Sequence, residues 1–171
     1  MPNWCANSVK FTGPTARIQE LYEVAKTSSL SQGLLSAILP EPEEHVDTGS
    51  NIFPGWYNWR VNYWGTKWDV ECDSYELVDH GDGTSTLEVE FDSAWSPPIA
   101  ALEVANSQGL EVEALYHEPG MCFAGMYTSK YGDQFIDYSA CNSETVRGFV
   151  GTVLDDKFGI AAMLAECEEE D

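Results

Sequence analysis

Apolar and polar positions first alternate in "NSVKFTG" (7–13), where Val9 and Phe11 stand against Ser8, Lys10 and Thr12. A period of two predicts a short strand with one buried face, ended by Gly13. The period then lengthens. "PTARIQELYEVAKT" opens on Pro14, suited to a first helical turn, and sets Ile18, Leu21, Tyr22 and Ala25 at helical spacing. Residues 28–58 carry three prolines and several glycines, which predicts a short apolar turn followed by a long irregular insertion. Alternation returns at "KWDVE" (67–71), where Trp68, Val70 and Cys72 oppose Asp69 and Glu71, and again through "SYELVDHGDGTSTLEVEFDSAW". There "GDG" (81–83) predicts a hairpin loop with Gly83 at the left-handed position. That register puts Tyr75 and Leu77 on one face with Leu87, Val89 and Phe91, and requires a bulge or break near Asp73–Ser74.

"SPPIAALEVANSQG" predicts a second helix, with Ser96 as N-cap, Ile99, Leu102 and Ala105 as buried stripe and Gly109 as terminator. Strands follow at "LEVEALYHE" and "MCFAGMYTSKYG", with a further one at "QFIDYS"; a last helix runs through "SETVRGFVGTVLDDKFG" into a frayed acidic tail. The order β-α-β-β-α-β predicts an α+β fold, the ferredoxin-like split βαβ arrangement. Its antiparallel sheet would carry helices on one face and leave the other open. Residues 1–141 form this domain with an insertion at 28–66, and 142–171 form a C-terminal helix and acidic tail.

Length and composition fit a single folded domain: 171 residues, 43% hydrophobic and 12% aromatic. Charge changes the picture. Twenty-nine acidic residues face eight basic ones, a formal net charge of -21. Phosphate repulsion then argues against direct binding to nucleic acid or to an anionic membrane, and favours a basic partner, a cation or simple solubility. The five cysteines, Cys5, Cys72, Cys122, Cys141 and Cys167, are widely spaced with no C-x-x-C pair. Reduced thiols are expected. "MPNWCANSVK" has no apolar signal region, which points to the host cytoplasm.

Four stretches, "MPNWCANSVKFTGP", "NYWGTKWDV", "FDSAWSPPIAAL" and "YHEPGMCFAGMY", resemble in order the YubB-like family of phage and plasmid proteins over residues 1–140. The resemblance implies a ferredoxin-like domain carried on mobile elements. It implies no catalytic residue.

"WRVNYWGTKWDV" (59–70) concentrates Trp59, Trp64 and Trp68 around Gly65. A core keystone is the expected role, with Trp64 and Trp68 covering one end of the sheet and Trp4 and Trp95 nearby. A base-stacking platform would need a basic groove, and only Arg60 and Lys67 stand close in sequence. These two are expected beside carboxylates or over indole faces.

Candidate chemistry is sparse. His45, His80 and His117 fall in an acidic insertion, a hairpin turn and a strand end, where solvated positions are expected. His117–Glu118 as acid/base pair, and Cys5 or Cys122 with His117 as nucleophile pair, have no supporting spacing. "DHGDG" is too short for a calcium loop. No phosphate-loop, dinucleotide or hydrolase motif occurs, so no enzyme activity, no cofactor and no metal is expected.

The carboxylates are the unusual feature. Glu88, Glu90 and Asp92 alternate with Leu87, Val89 and Phe91; Glu111 and Glu113 alternate with Leu110, Val112 and Ala114; Glu76 precedes them in the hairpin. Acids on one strand face repeat about every 6.6 Å, and on two neighbouring strands they would repel. A one-signed face predicts binding to a basic host protein, nucleic-acid-binding or defence-related, by mimicry of a nucleic-acid backbone. The other readings are an accessory interaction module with an aromatic end surface and acidity serving solubility, or an enzyme of unidentified type.

Overall fold

The computed structural model describes residues 2–44 and 53–170, with only the backbone of Glu170. His45 and the middle of the insertion lie outside these residues. Strand β1 (Trp4–Pro14) leads into α1 (Thr15–Lys26); short α2 (Leu34–Ile38) and α3 (Gly55–Tyr63) follow. The hairpin β2 (Cys72–Asp79) and β3 (Thr84–Ala94) precedes α4 (Ile99–Ser107) and β4 (Glu111–Glu118). Strands β5 (Phe123–Thr128) and β6 (Gly132–Asp137) and helices α5 (Val146–Val150), α6 (Thr152–Phe158) and α7 (Ile160–Glu170) complete the chain.

The strands make one antiparallel sheet in the order β2-β3-β1-β4-β5-β6. Its first four strands have the split βαβ arrangement the alternation predicts. The hairpin register is as expected: Tyr75 pairs with Val89, Leu77 with Leu87, and the irregularity falls between Cys72 and Ser74. Gly81 and Gly83 both take positive φ in the loop. Val9, Phe11, Leu87, Val89 and Phe91 point to one side of the sheet, where they pack with Ile18, Leu21 and Ala25 of α1 and Leu102 and Ala105 of α4.

Four expectations change. "KWDVE" is not a strand; β2 begins only at Cys72. Residues 55–63, read as irregular chain, form α3, an aromatic helix with no fully buried residue and therefore little periodic signal. Ser96 does not cap α4; its hydroxyl donates to the Gly65 carbonyl at 2.6 Å. The last helix is three helices, broken where Gly151 and Gly159 take positive φ.

The C-terminal helices are also more than a tail. Val146, Val150, Leu154 and Ile160 pack on the other side of the sheet, over Leu115, Ala124 and Ile136. Helices therefore lie on both faces rather than one. The side opposite α1 and α4 is covered over β4–β6, while β2 and β3 present their acidic positions beside α6.

Candidate functional site

On the side opposite α1 and α4, the ladder arranges residues in rows. Glu76 lies across from Glu88, Glu88 from Lys10, and Lys10 from Glu113. The next row holds Ser74, Glu90, Ser8 and Leu115, and the one after it Asp92, Ala6 and His117. Glu88, Glu90, Asp92 and Glu76 therefore converge as the alternation predicts. Glu111 and Glu113 do not join them directly. β1 separates β3 from β4, so acids on those strands stand about 9.6 Å apart rather than about 4.8 Å.

Two lysines that sequence reading left out of the site interrupt the acids. Lys10 Nζ donates to Glu88 Oε1 at 2.8 Å. Lys157 of α6 reaches back to Glu90. The Glu88 hydrogen bond, ahead of the nearby charges of Glu88, Glu113 and Glu76, raises the Lys10 ammonium above its ordinary range. Lys10 was findable, since the split βαβ order places β1 between β3 and β4. Lys157 was not, because no local pattern predicts where a terminal helix docks.

These groups line a concavity of about 470 Å³, walled by Glu76, Glu88 and Glu90, with Ser8, Lys10 and Lys157 beside them. A smaller hollow of about 260 Å³ adjoins it at Asp73, Asp92 and Phe158. Burial, and then the charge of Asp73, pushes the Asp92 carboxyl upward. The face thus holds Asp73, Glu76, Glu88, Glu90 and Asp92 against two cations, Lys10 and Lys157.

The aromatic stretch divides by role. Trp64 is fully buried and its indole N–H donates to the Leu39 carbonyl at 2.9 Å. Trp59 packs edge-on against it at 5.5 Å. Trp68 is only half-buried and rests on the exposed Trp4, ring centres 5.9 Å apart. Trp95 is 49% exposed. The keystone role therefore belongs to Trp64 and not to Trp68. Arg60 does sit over Trp56 and Trp64 at 5.2 and 5.0 Å while it pairs with Glu41, and Lys67 lies 4.6 Å from the Trp68 ring.

Asp69 corrects the alternation more sharply. Far from pointing to solvent, it is 1% exposed and accepts the backbone N–H groups of Gly33, Leu35 and Ser36 at 2.7, 2.9 and 3.1 Å.

The histidine and cysteine pairs are not built. His117 is buried rather than solvated, its Nε2 2.7 Å from the Tyr138 hydroxyl, between the rings of Tyr138 and Phe158. Glu118 follows it on the opposite side of β4, where Gly120 and Met121 donate to its carboxylate. The Cys5 thiol is pushed up to about 12, chiefly by burial, and burial also raises Cys122. Neither is an activated nucleophile. His80 Nε2 lies 2.8 Å from Thr86 Oγ1, and Asp79 and Asp82 accept N–H groups of their own turn. Among the described residues no group of three or more His, Cys, Asp or Glu could hold a metal, and no helix is long and apolar enough to cross a membrane.

Fold and site define a ferredoxin-like α+β domain with an acidic sheet face. Residues 64–149, just over half the chain, match the family described as the ferredoxin-like domain in Api92-like protein. The chain belongs to that family. Among solved structures, the crystal structure of a protein api92 from Yersinia pseudotuberculosis is similar, with a TM-score of 0.41 and 10% identity. The similarity covers 82% of this chain and 99% of that one. Curated proteins give no match.

Proposed function

We propose that this Api92-like protein serves a phage or plasmid, as the YubB-like resemblance implies, by binding and inhibiting a basic host protein in the cytoplasm. The acidic face of β2 and β3 is the binding surface and the protein is not an enzyme. The observation that carries the reading is the row in which Glu76 stands directly across from Glu88, with Glu90 and Asp92 continuing along β3. Like charges held opposite each other weaken a sheet, so their presence suits a use outside folding. Carboxylates spaced about 6.6 Å along β3 roughly echo the regular charge of a nucleic-acid backbone, which suits a target that binds nucleic acid or acts in host defence.

A second reading rests on the exposed end of the molecule. Trp4 packs on Trp68, the Trp95 backbone N–H donates to the Asn3 carbonyl at 2.9 Å, and the Trp95 side chain is open to solvent. An interaction module working through these rings would bind a neutral partner.

Immobilised protein, host extract and a rising salt gradient separate the two. The acidic-face reading expects a basic protein that elutes as salt rises and that DNA displaces, because screening shortens from about 10 Å at 0.1 M to about 3 Å at 1 M. A partner held equally at every salt concentration and indifferent to DNA would sink it in favour of the aromatic end.

A further inference from the structure

We propose that the cavity between the start of α4 and strands β5–β6 is a binding site for a small organic cation with a flat aromatic body. It lies on the α4 side of the sheet, away from the acidic face, and is independent of the function proposed above. Its volume is about 620 Å³, within the range of small-molecule sites.

The register explains why a cavity exists there. α4 packs against β4 and reaches Tyr127 near the end of β5, whereas the β6 residues on that side, Asp133, Phe135 and Asp137, are exposed beyond it. Tyr116 pairs with Gly125 and Gly125 with Phe135, which puts all three on the α4 side; Phe123 stands two residues along. Gly125 is needed. A Cβ there would come within 2.3 Å of the Tyr116 hydroxyl. With only hydrogen in the way, the phenol crosses β5 and donates to Asp133 Oδ1 of β6 at 2.7 Å. Phe123 lies edge-on to Tyr116 at 6.3 Å and tilted against Phe135 at 5.2 Å, which makes a continuous aromatic floor.

The rim has the opposite character. Glu103 of α4 and Asp133 and Asp137 of β6 line the cavity, and among the described residues no lysine, arginine or histidine does. Burial and the Asp133 contact hold the Tyr116 phenol above its ordinary range, so its hydroxyl stays a hydrogen-bond donor. Asp137 Oδ1 accepts the Ser139 N–H at 2.9 Å. The Ser139 side chain also bonds the Asp137 carboxylate, and both aspartates are exposed at the rim. Met121 and Phe135 at the same cavity are 67% and 58% exposed. The only non-glycine residues described with positive φ, Trp95 and Cys122, immediately precede the lining residues Ser96 and Phe123. Such backbone is uncommon and clusters where a structure is shaped for binding.

Floor and rim together select the ligand. A neutral apolar molecule would fill the floor but strip water from three carboxylates without compensation. An anion would be repelled. A compact metal ion would leave the rings unused. A planar cation on an aromatic body stacks on the floor, gains from the ring faces and pairs with the aspartates.

Benzamidinium is the probe. In calorimetry at about 0.15 M salt the full chain should bind it saturably, one to one, and neutral benzamide about tenfold more weakly or less. Replacing Asp133 and Asp137 together with asparagine should lower benzamidinium affinity about tenfold with the melting temperature retained. Changing Glu76, Glu88 and Glu90 to glutamine, on the other side of the sheet, should leave it unaltered. N-acetylarginine amide, standing for a protein's arginine side chain, should bind more weakly than benzamidinium. The proposal is overturned by absent saturation, by equal binding of benzamide, by a D133N/D137N protein that binds like the wild type, or by equal loss in the glutamine variant. Tighter binding of the arginine derivative would replace the small ligand by a protein side chain.

Discussion

The carboxylate of Asp69 takes the N–H of Gly33 at 2.7 Å across a sequence separation of 36 residues, and fixes the start of α2 to the segment just before β2. The same carboxylate serves Leu35, Ser36 and its neighbour Val70, so one buried side chain satisfies backbone donors that α2 cannot pair internally. Asp69→Ala should therefore cost about 2–4 kcal/mol in urea unfolding. Loss of less than about 1 kcal/mol would mean that water replaces the carboxylate without penalty.

Asp69 also marks where the sequence stops being readable. In "KWDVE" the polar and apolar positions alternate as a strand would, but the donors that turn Asp69 inward come from residues 33–36, and distant donors leave no local trace. β3 was readable for the converse reason: Leu87, Val89 and Phe91 face one continuous core, so Glu88, Glu90 and Asp92 must face away. Gly151 and Gly159 were visible breaks in the last helix, and reading across them joined three helices into one. The cavity at Tyr116 depends on where β6 ends up relative to α4, which alternation cannot report.

The tryptophans offer a direct comparison. Trp64 is enclosed and hydrogen-bonded to Leu39, whereas Trp68 keeps one face toward Lys67 and solvent. Trp64→Ala should destabilise by about 3–5 kcal/mol and Trp68→Ala by less than about 2 kcal/mol. Paired denaturation curves with equal slopes decide it. A larger loss at Trp68 would show that the Trp4–Trp68 contact, and not the buried indole, closes the core.

His117 should make stability depend on pH in a window of its own. Burial between Tyr138 and Phe158 outweighs the opposing charge of Glu118 and lowers its folded value below the ordinary 6.5. The unfolded chain then takes up more protons just below 6.5, so stability is full above that pH and declines as pH falls toward the folded value. Asp82, Asp137, Asp155 and Glu168, all lowered, lose their contribution only in the carboxylate range further down. Unfolding free energy measured at about pH 7.5 and about pH 5.5 should fall in the wild type and change less in His117→Gln. An identical change in both proteins would remove His117 as the cause.

The acidic face separates charges that help the fold from charges that strain it. Glu88 is bonded to Lys10 and Glu90 to Lys157, while Glu76 faces Glu88 and Asp73 bears on Asp92. Replacing Glu76 with glutamine and Asp73 with asparagine should therefore stabilise the sheet by about 0.5–1 kcal/mol, since like charges opposite one another are removed. Replacing Glu88 and Glu90 with glutamine instead should give no gain, because each substitution also breaks an exposed ion pair worth about 0.2–1 kcal/mol. Binding to a basic partner responds to total charge, so both double variants should lose affinity and show a shallower dependence on salt. Thermal melts and a salt series on the two variants supply both readouts. If the D73N/E76Q protein gains stability and binds as the wild type does, the repulsion is real but the face is not the binding surface, and the acidity serves solubility.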